Sequence, residues 1–335
     1  MTKLNWGLIG ASNIAATCMI PAMRATGGQI ASVLSSSAER GAAYAGKHDI
    51  PHSTDDLSAL LDREDINAVY ISTTNEKHKE QALAAIDAGK HVLCEKPLAM
   101  TVADAVDMVR AADAAGLIFA TNHHLRNAGT HLAIRDAVKS GKIGDVLAVR
   151  VFHAVFLPPH LQGWRIDNPA AGGGVIPDIV VHDADTVRFH LDEDPESVVA
   201  QESVAGMGQG VEDSVMSAWH MPSGALVQTH EGFTIRFAGS GFEMHGTEGS
   251  LFARNVMTQQ PIGEVRLRTE RGEEEISYSD HNLYERSLGM FTKAVAGDGA
   301  PSATGVDGVK SLAVAAAVKE AATSGQRVTV DYGGI

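Results

Sequence analysis

The chain has 335 residues, of which 44% are hydrophobic and 20% charged, an ordinary composition for a globular protein long enough for two domains. Its formal net charge of −14 argues against a nucleic-acid partner, because a phosphate backbone requires clustered lysine and arginine. No stretch approaches ~18 consecutive apolar residues, and no basic segment precedes an apolar run at the N-terminus, so neither a membrane partner nor export is expected.

The two cysteines, Cys18 and Cys94, lie in different segments and form no Cys-x-x-Cys pair. This usage suits a reducing compartment and predicts no disulfide framework, so we expect a cytoplasmic protein. His123, His124 and His131 lack the glutamate-containing pattern of zinc proteases. No metal site is therefore expected.

The first predicted strand, residues 4–9, runs into a small-residue turn and then into a helical pattern. A tight strand-to-helix turn lets backbone N–H groups approach a dinucleotide pyrophosphate, which the positive end of the helix dipole also favours. Against Gly-x-Gly-x-x-Gly/Ala, Gly10 and Ala15 match, whereas Ser12 replaces the second glycine, and the motif alone also fits a plain turn. The cofactor-binding residues predicted here are Gly10, Ala11, Ser12, Asn13 and Ile14.

Apolar runs up to about residue 123 alternate with segments of helical spacing. The predicted strands are 29–35, 68–73, 91–94 and 117–121, and the predicted helices include 76–88 and 101–115, with Thr101 and Asp104 as a capping pair. This alternation predicts a parallel, doubly wound sheet whose ligands bind beyond the carboxyl ends of the strands. We therefore expect residues 1–123 to form an α/β Rossmann domain.

The end of the second predicted strand indicates which dinucleotide is bound. An acidic side chain at this place hydrogen-bonds the adenosine ribose in NAD-binding domains. Residues 35–40 instead read S-S-S-A-E-R, and hydroxyl donors with a guanidinium suit a 2′-phosphate. We therefore predict NADP(H), bound in part by Ser35, Ser36 and Arg40. The alternative is that the serines only cap the next helix and that Glu39 and Arg40 form a solvated pair.

A candidate catalytic lysine follows the fourth predicted strand, in Glu95-Lys96-Pro97. This position places Lys96 at the carboxyl end of the predicted sheet, where it would point into a cleft between the domains. A Lys-Pro dipeptide by itself is also typical of a surface turn.

A second candidate segment follows three glycines at residues 172–174, which permit close approach to a ligand. Pro177 suits the first turn of a helix, and a helix beginning there places Asp178 and His182 on one face. This spacing pairs a carboxylate with a group that titrates near neutrality, as proton transfer to a carbonyl oxygen requires. The alternative is an aspartate favoured by the helix dipole and an unrelated histidine.

From about residue 145 the pattern changes to longer alternating runs separated by turn signals. The predicted strands are 146–157, 214–220, 225–233 and 263–269, followed by a helix at 308–323. We expect residues 124–335 to form an α+β domain with a mostly antiparallel open sheet that binds the substrate, leaving open whether the final helix packs back on the first domain. One face of the sheet could pair with a second copy of the chain.

Together, Glu95-Lys96-Pro97, the three glycines and the spacing of Asp178 and His182 resemble the glucose-fructose oxidoreductase, inositol dehydrogenase and MocA (Gfo/Idh/MocA) family over nearly the whole chain. The resemblance implies that Lys96 and His182 flank the substrate with Asp178 beside them. It also implies that the peptide before Pro97 is cis.

Residues 6–12, 36–44, 121–127 and 152–165 are more narrowly similar to members of this family that reduce the C2 ketone of 1,5-anhydro-D-fructose to 1,5-anhydro-D-mannitol with NADPH. In those members, small residues at the positions of Ser12 and Ala15 accompany NADP use. The resemblance also implies further residues around the cofactor and substrate: Thr73, Thr74, Asn75, His78, Glu95, Lys96, Asn122, Trp164, Arg165 and Tyr284.

The predicted mechanism is direct hydride transfer from nicotinamide C4 to the ketone carbon, without a covalent enzyme intermediate. We expect Lys96 to stabilise the developing oxygen charge and His182 to supply the proton, with Asp178 orienting the histidine or a sugar hydroxyl; Lys96 and His182 could exchange roles. One alternative is an NAD(P)-dependent dehydrogenase of another sugar or of inositol. A second is an NADP-binding sensor without turnover.

Overall fold

The computed structural model describes residues 3–335, which divide into two units. Unit 1 runs to His123 and includes Tyr284–Val309 and Ile335, whereas unit 2 comprises His124–Leu283 and Lys310–Gly334. The sequence pattern predicts that all of 124–335 belongs to the second domain. The structure instead places Tyr284–Val309 in unit 1, where the ring of Phe291 packs on that of Trp6 with centroids 5.3 Å apart.

The first 123 residues alternate short strands with helices. The strands are β1 (Asn5–Ile9), β2 (Gln29–Leu34), β3 (His52–Thr54), β4 (Ala68–Ile71), β5 (His91–Cys94) and β6 (Phe119–Thr121). The helices are α1 (Ile20–Ala25), α2 (Ala38–Lys47), α3 (Leu57–Leu61), α4 (His78–Asp87) and α5 (Val102–Ala115). A π-helical turn, Ala15–Met19, precedes α1, and a 3-10 turn, Asn75–Lys77, precedes α4.

The six strands form one parallel sheet in the order β3-β2-β1-β4-β5-β6, which confirms the predicted Rossmann architecture. All four residues of β4 are buried, as expected for a parallel strand covered on both faces. The predicted cap of α5 is also confirmed, because the Thr101 hydroxyl accepts the Asp104 N–H at 3.1 Å and donates to the Asp104 carboxylate at 2.7 Å. The edge strand β3 was not predicted, since three residues are too few to show a period.

The rest of the chain contains nine strands and five helices within the described residues. The strands are β7 (Val146–Ala154), β8 (Ser197–Ser203), β9 (Ser214–His220), β10 (Leu226–Gly232), β11 (Gly241–Gly246), β12 (Gly249–Arg254), β13 (Glu264–Thr269), β14 (Gly272–Glu275) and β15 (Val328–Thr329). The helices are α6 (Gly129–Lys139), α7 (Trp164–Asp167), α8 (Val181–Leu191), α9 (Leu283–Val295) and α10 (Gly305–Ser324). Short 3-10 turns occupy Leu125–Asn127, Pro159–Leu161 and Pro169–Ala171, and a π-helical turn, Ile176–Val180, precedes α8.

The nine strands of unit 2 form one sheet in the order β14-β13-β12-β11-β7-β10-β9-β8-β15. Every neighbouring pair is antiparallel except β7 with β10, which confirms the predicted, mostly antiparallel open sheet. Residues alternate between the two faces, so Val149, Val151 and His153 of β7 are buried on the inner face. The predicted strand 146–157 ends earlier, at Ala154.

Candidate active site

The turn after β1 is built from groups that hydrogen-bond one another. Gly10 has φ +118°, and a Cβ there would lie 3.0 Å from the carbonyl carbon of Ser72, so glycine is required. The Ser12 hydroxyl accepts the Ala15 N–H at 3.1 Å, which leaves its own hydrogen for Ser72 Oγ at 2.8 Å. The serine that replaces the second glycine is therefore bonded into the turn and supports the start of the helical segment.

Two serines after β2 have different roles. Ser37 caps α2, because its hydroxyl accepts the Arg40 N–H at 3.3 Å. Ser36 instead meets the Arg40 guanidinium, with Nη1 at 3.4 Å from its hydroxyl and Nη2 at 3.0 Å from the Ala11 carbonyl. The helix-cap alternative thus accounts for Ser37 alone. Arg40, Ser36 and the turn after β1 are brought together in unit 1, and the buried Ser35 hydroxyl has no hydrogen-bond partner within the described chain.

His78 holds together the two loops that follow β4 and β5. It is fully buried, with Nδ1 2.9 Å from the Pro97 carbonyl oxygen and Nε2 3.2 Å from that of Thr73. Burial lowers the pKa of the imidazole, so one ring nitrogen at a time donates. The Lys96–Pro97 peptide is cis, as the resemblance implied. His78 therefore holds the backbone at Thr73 and at Pro97, the residue after Lys96, while its contact with a cofactor stays a prediction.

The remaining loop residues predicted after β4 make local contacts. Thr73 donates its hydroxyl to Gln81 Oε1 at 2.7 Å, and Thr74 donates to Glu76 Oε1 at the same distance. Asn75 is buried and begins the 3-10 turn before α4. The loop is thereby tied to the first turns of the following helix.

Glu95 accepts two hydrogen bonds in the interior of unit 1. The Tyr70 hydroxyl donates to Glu95 Oε1 at 2.5 Å, and the Asn122 amide donates to the same oxygen at 2.6 Å. Tyr284 is also buried, and burial, with Cys18 and Glu95 nearby, raises the pKa of its hydroxyl well above the usual value. The structure therefore brings together three predicted residues, Glu95, Asn122 and Tyr284, and adds Tyr70, which the sequence did not indicate.

The predicted helix after Pro177 begins as a π-helical turn and continues as α8. Segments of this kind occur often at functional sites. Asp178 lies in the π turn, with its carboxylate 3.4 Å from Arg165 Nε, and the Arg165 guanidinium stacks over Trp164 at 4.6 Å from the ring centroid. His182 lies in the first turn of α8, and its ring makes an edge contact with that of His124 at 4.8 Å between centroids. Unit 2 thus joins Trp164, Arg165 and Asp178, and Asp178 lies four residues before His182.

Two of the three glycines before this helix lie against protein groups, while close approach to a ligand stays a prediction. A Cβ on Gly173 would lie 2.5 Å from the Trp164 carbonyl oxygen, and Gly174, with φ +117°, lies against the Glu212 carboxylate. Glu212 accepts the Ile176 N–H at 3.1 Å and pairs with Lys319 at 2.8 Å. Gly173 and Gly174 therefore make room for protein groups near the start of the helix, and Glu212 is a positioning residue that no sequence motif revealed.

His153 is a further polar residue near His182 that no sequence motif indicated. It lies on the inner face of β7, and its Nδ1 is 2.7 Å from Oδ1 of Asp183, the residue after His182. Its ring centroid is 6.3 Å from that of His182. The available signal was strand alternation, which places His153 on the same buried face as Val149 and Val151.

Among residues 3–335, no group of three or more His, Cys, Asp or Glu side chains is arranged to hold a metal ion. In the same part of the chain, no helix is both long and apolar enough to cross a membrane. The longest, α10, has 20 residues and carries Lys310, Lys319 and Glu320 among its apolar side chains.

The parallel sheet with its glycine turn is of the dinucleotide-binding type, and it is joined in the same chain to a mixed sheet with a histidine-bearing helix. Residues 4–123 match the oxidoreductase family with an NAD-binding Rossmann fold (GFO/IDH/MocA), and residues 131–252 match the GFO/IDH/MocA C-terminal domain. The chain belongs to the GFO/IDH/MocA oxidoreductase family.

Among its relatives, a 1,5-anhydro-D-fructose reductase from Ensifer adhaerens is 58% identical over 329 residues, covering 98% of this chain and 99% of the relative. A myo-inositol 2-dehydrogenase from Thermotoga maritima is 28% identical, covering 79% and 80% of the two chains. The crystal structure of an aldose-aldose oxidoreductase from Caulobacter crescentus, complexed with glycerol, superposes with a TM-score of 0.90 at 25% identity, covering 98% of this chain and 100% of the other.

Proposed function

We propose that this chain is an NADPH-dependent reductase that converts the C2 ketone of 1,5-anhydro-D-fructose to the alcohol of 1,5-anhydro-D-mannitol. The observation that carries the proposal lies just before α8. Asp178, four residues before His182, contacts the guanidinium of Arg165 there. The reductase from Ensifer adhaerens, 58% identical, supports this substrate over other sugars.

NADPH, when bound, supplies the hydride for the ketone carbon. Lys96 then stabilises the negative charge that develops on the carbonyl oxygen, and His182 donates the proton, or the two exchange these roles. Asp178 orients His182 or a substrate hydroxyl. The residues that would hold the cofactor are Gly10, Ala11, Ser12, Asn13, Ile14, Ser35, Ser36, Arg40, Thr73, Thr74, Asn75, His78, Glu95, Lys96, Asn122, Trp164, Arg165 and Tyr284.

The decisive experiment compares kcat/KM for NADPH oxidation across 1,5-anhydro-D-fructose, other ketoses and dicarbonyls, with the product identified by NMR. We expect the highest value for 1,5-anhydro-D-fructose and a mannitol-configured product. A second candidate is a dehydrogenase of another sugar or of inositol, which the myo-inositol 2-dehydrogenase relative favours and which faster oxidation of a polyol would support. Binding of NADPH without turnover of any compound would favour a sensor instead.

The preference for NADP(H) is proposed from the position of Arg40. Its guanidinium lies beside the Ser36 hydroxyl and the turn after β1, where a charge-assisted hydrogen bond to a 2′-phosphate would form. We expect R40A to raise the KM for NADPH about 10- to 100-fold and to leave the KM for NADH almost unchanged. K47A, at the exposed end of the same helix, is the matched control. An equal effect of R40A on both cofactors would rule out recognition of the phosphate.

The other expectations about partners and location stay predictions. The outer face of the nine-stranded sheet exposes Met216 and Leu226, with 53% and 58% of their surfaces accessible, and this is the face proposed to pair with a second copy. Light scattering of the purified protein measures the oligomeric state. A cytoplasmic location and the lack of a nucleic-acid partner likewise rest on composition alone.

A further inference from the structure

Two buried carboxyl groups lie next to the imidazole of His153. His153 on β7 is paired in register with Glu231 on the neighbouring strand β10, so both side chains point to the same inner face of the sheet. Asp183 on α8 meets them there, with Oδ1 2.7 Å from His153 Nδ1. Asp183 and Glu231 are both fully buried. A polar cluster of one imidazole and two carboxyl groups therefore lies between the sheet and α8.

Each carboxyl group has one buried oxygen, Asp183 Oδ2 and Glu231 Oε1, that accepts no hydrogen bond from a donor within the described chain. Two ionised carboxylates cannot satisfy one another, because an ionised carboxylate only accepts hydrogen bonds. A single proton on either group turns it into a donor and satisfies both oxygens at once. Burial, followed by the charge of Asp183, raises the pKa of Glu231 well above its usual value.

A chain of hydrogen bonds fixes which oxygen of Glu231 carries the proton. The Trp219 Nε1–H donates to Ser217 Oγ at 2.7 Å, and the Thr229 hydroxyl donates to Glu231 Oε2 at 3.1 Å. The Ser217 and Thr229 hydroxyl oxygens are 2.7 Å apart. Because the single hydroxyl hydrogen of Thr229 is used in its bond to Glu231, the Ser217 hydroxyl donates to Thr229 Oγ1. Glu231 Oε2 is thus an acceptor, and Oε1 is left to carry the proton toward Asp183.

We propose that Asp183 and Glu231 share one proton, carried by Glu231, and that the ionised Asp183 holds His153 as its Nδ1–H tautomer beside His182. The Nε2 atom of His153 is then an acceptor, on the ring edge that faces away from Asp183. In the reaction proposed above, on which this catalytic consequence rests, His153 is a positioning residue for a substrate hydroxyl or for His182.

The charged and titratable groups around this cluster are consistent with one negative charge on Asp183. His182 precedes Asp183 on α8 and Asp185 follows it, and Asp185 is already neutralised by a buried ion pair with Arg126. His124 contacts the ring of His182, and His131 on α6 is close enough to His153 for the two to interact electrostatically. Apolar side chains of similar volume would fill this space without desolvating a charge, so packing alone does not explain the cluster.

The shared proton is tested without substrate by infrared spectroscopy of the whole protein at pH 7. We expect the wild type to show the C=O band of a protonated carboxyl group, and E231Q to lose it. E248Q, at an exposed glutamate of unit 2, is the matched control and should retain the band. Absence of the band from the wild type, or its retention in E231Q, would overturn the proposal.

The tautomer is tested by long-range ¹H–¹⁵N NMR of the histidine rings, with the His153 signals assigned by their loss in H153Q. We expect Nδ1–H in the wild type and in E231Q, because a glutamine amide still donates to Asp183 and its oxygen still accepts from Thr229. D183N should lose this tautomer and turn over at least ~10-fold more slowly than E231Q. An Nε2–H ring in the wild type contradicts the proposal. Both spectroscopic tests use E231Q and need neither a folded D183N nor a known substrate, so they stand apart from the proposed function.

Discussion

The two units hold their polar groups in different places. In unit 1, Ser36, Arg40 and Lys96 lie in loops or at a helix start, just beyond the carboxyl ends of parallel strands. In unit 2, His153 and Glu231 lie within strands and Asp183 within a helix, on surfaces that face each other. A motif in a loop indicates its site directly from the sequence. A site formed by facing strands and helices depends instead on the register of strand pairing, which no local sequence motif reveals.

The units also differ in how strongly their polar groups are coupled. Arg40 is exposed at the surface of unit 1, where solvent screens its interactions. Unit 2 instead buries Asp183, Glu231 and the Arg126–Asp185 pair. The low dielectric there strengthens hydrogen bonds and also raises the free-energy cost of losing one partner. Substitutions in the buried cluster of unit 2 should therefore propagate to neighbouring groups, whereas those at exposed positions of unit 1 should act more locally.

The largest effect is expected at the two proposed catalytic residues, one from each unit. K96A in unit 1 and H182A in unit 2 should each lower turnover by roughly 100-fold or more, because each removes charge stabilisation or proton transfer at the carbonyl oxygen. NADPH should still bind to both variants. Steady-state kinetics with 1,5-anhydro-D-fructose and fluorescence titration with NADPH measure the two quantities separately.

The controls for this pair are K77A and H52A, which remove an exposed lysine and an exposed histidine from unit 1. Both should turn over as the wild type does. Near wild-type turnover in K96A and H182A would show that neither unit supplies the proposed chemistry. A loss confined to one variant would assign charge stabilisation and proton transfer to a single residue.

Much of unit 1 could be predicted because its signals are local. The alternation of apolar runs and helical segments gave the parallel sheet, and the Thr101–Asp104 pair marked the start of α5. The roles of the two serines after β2 could be assigned only from the structure, because Ser36 and Ser37 are equivalent in the sequence pattern. Ser37 caps α2, whereas Ser36 contacts the Arg40 guanidinium. Sequence thus identified the segment, and geometry separated its residues.

Unit 2 was less predictable because its contacts are distant along the chain. The spacing of Asp178 and His182 was correctly placed at a helix start, yet Glu212, which holds that start, is 36 residues from Ile176. The partner of Asp183, His153, is 30 residues away on a strand. Only the strand register and the packing of α8 bring these groups together, and neither is encoded in a local motif.

Buried imidazoles should make the stability of unit 2 sensitive to acid. His131 is fully buried between His190, 3.1 Å away, and the Val256 carbonyl, and burial lowers its pKa to about 4. The unfolded chain takes up this proton near pH 6.5, whereas the folded chain does so only near pH 4. Protons therefore favour unfolding between these values, and stability falls as the pH is lowered.

Between pH 7 and pH 5, His131 should cost the wild type about 2 kcal/mol of unfolding free energy. H131Q keeps a donor for Val256 but cannot titrate, so its unfolding free energy should fall by about 2 kcal/mol less over the same range. Urea unfolding at both pH values measures the difference, with H52Q as an exposed control. Parallel loss in the wild type and H131Q would show that acid sensitivity arises elsewhere.

The smallest expected effect belongs to a local contact of unit 1, the cap of α5. T101A removes the hydroxyl that accepts the Asp104 N–H, and should lower the free energy of unfolding by about 1 kcal/mol. The loss should stop there, because the Asp104 carboxylate keeps its ion pair with Lys79 at 2.5 Å. T101S retains the capping oxygen and should match the wild type in urea unfolding. A loss well above about 2 kcal/mol in T101A would mean that this exposed contact of unit 1 is coupled as tightly as the buried groups of unit 2, and the contrast between them would fail.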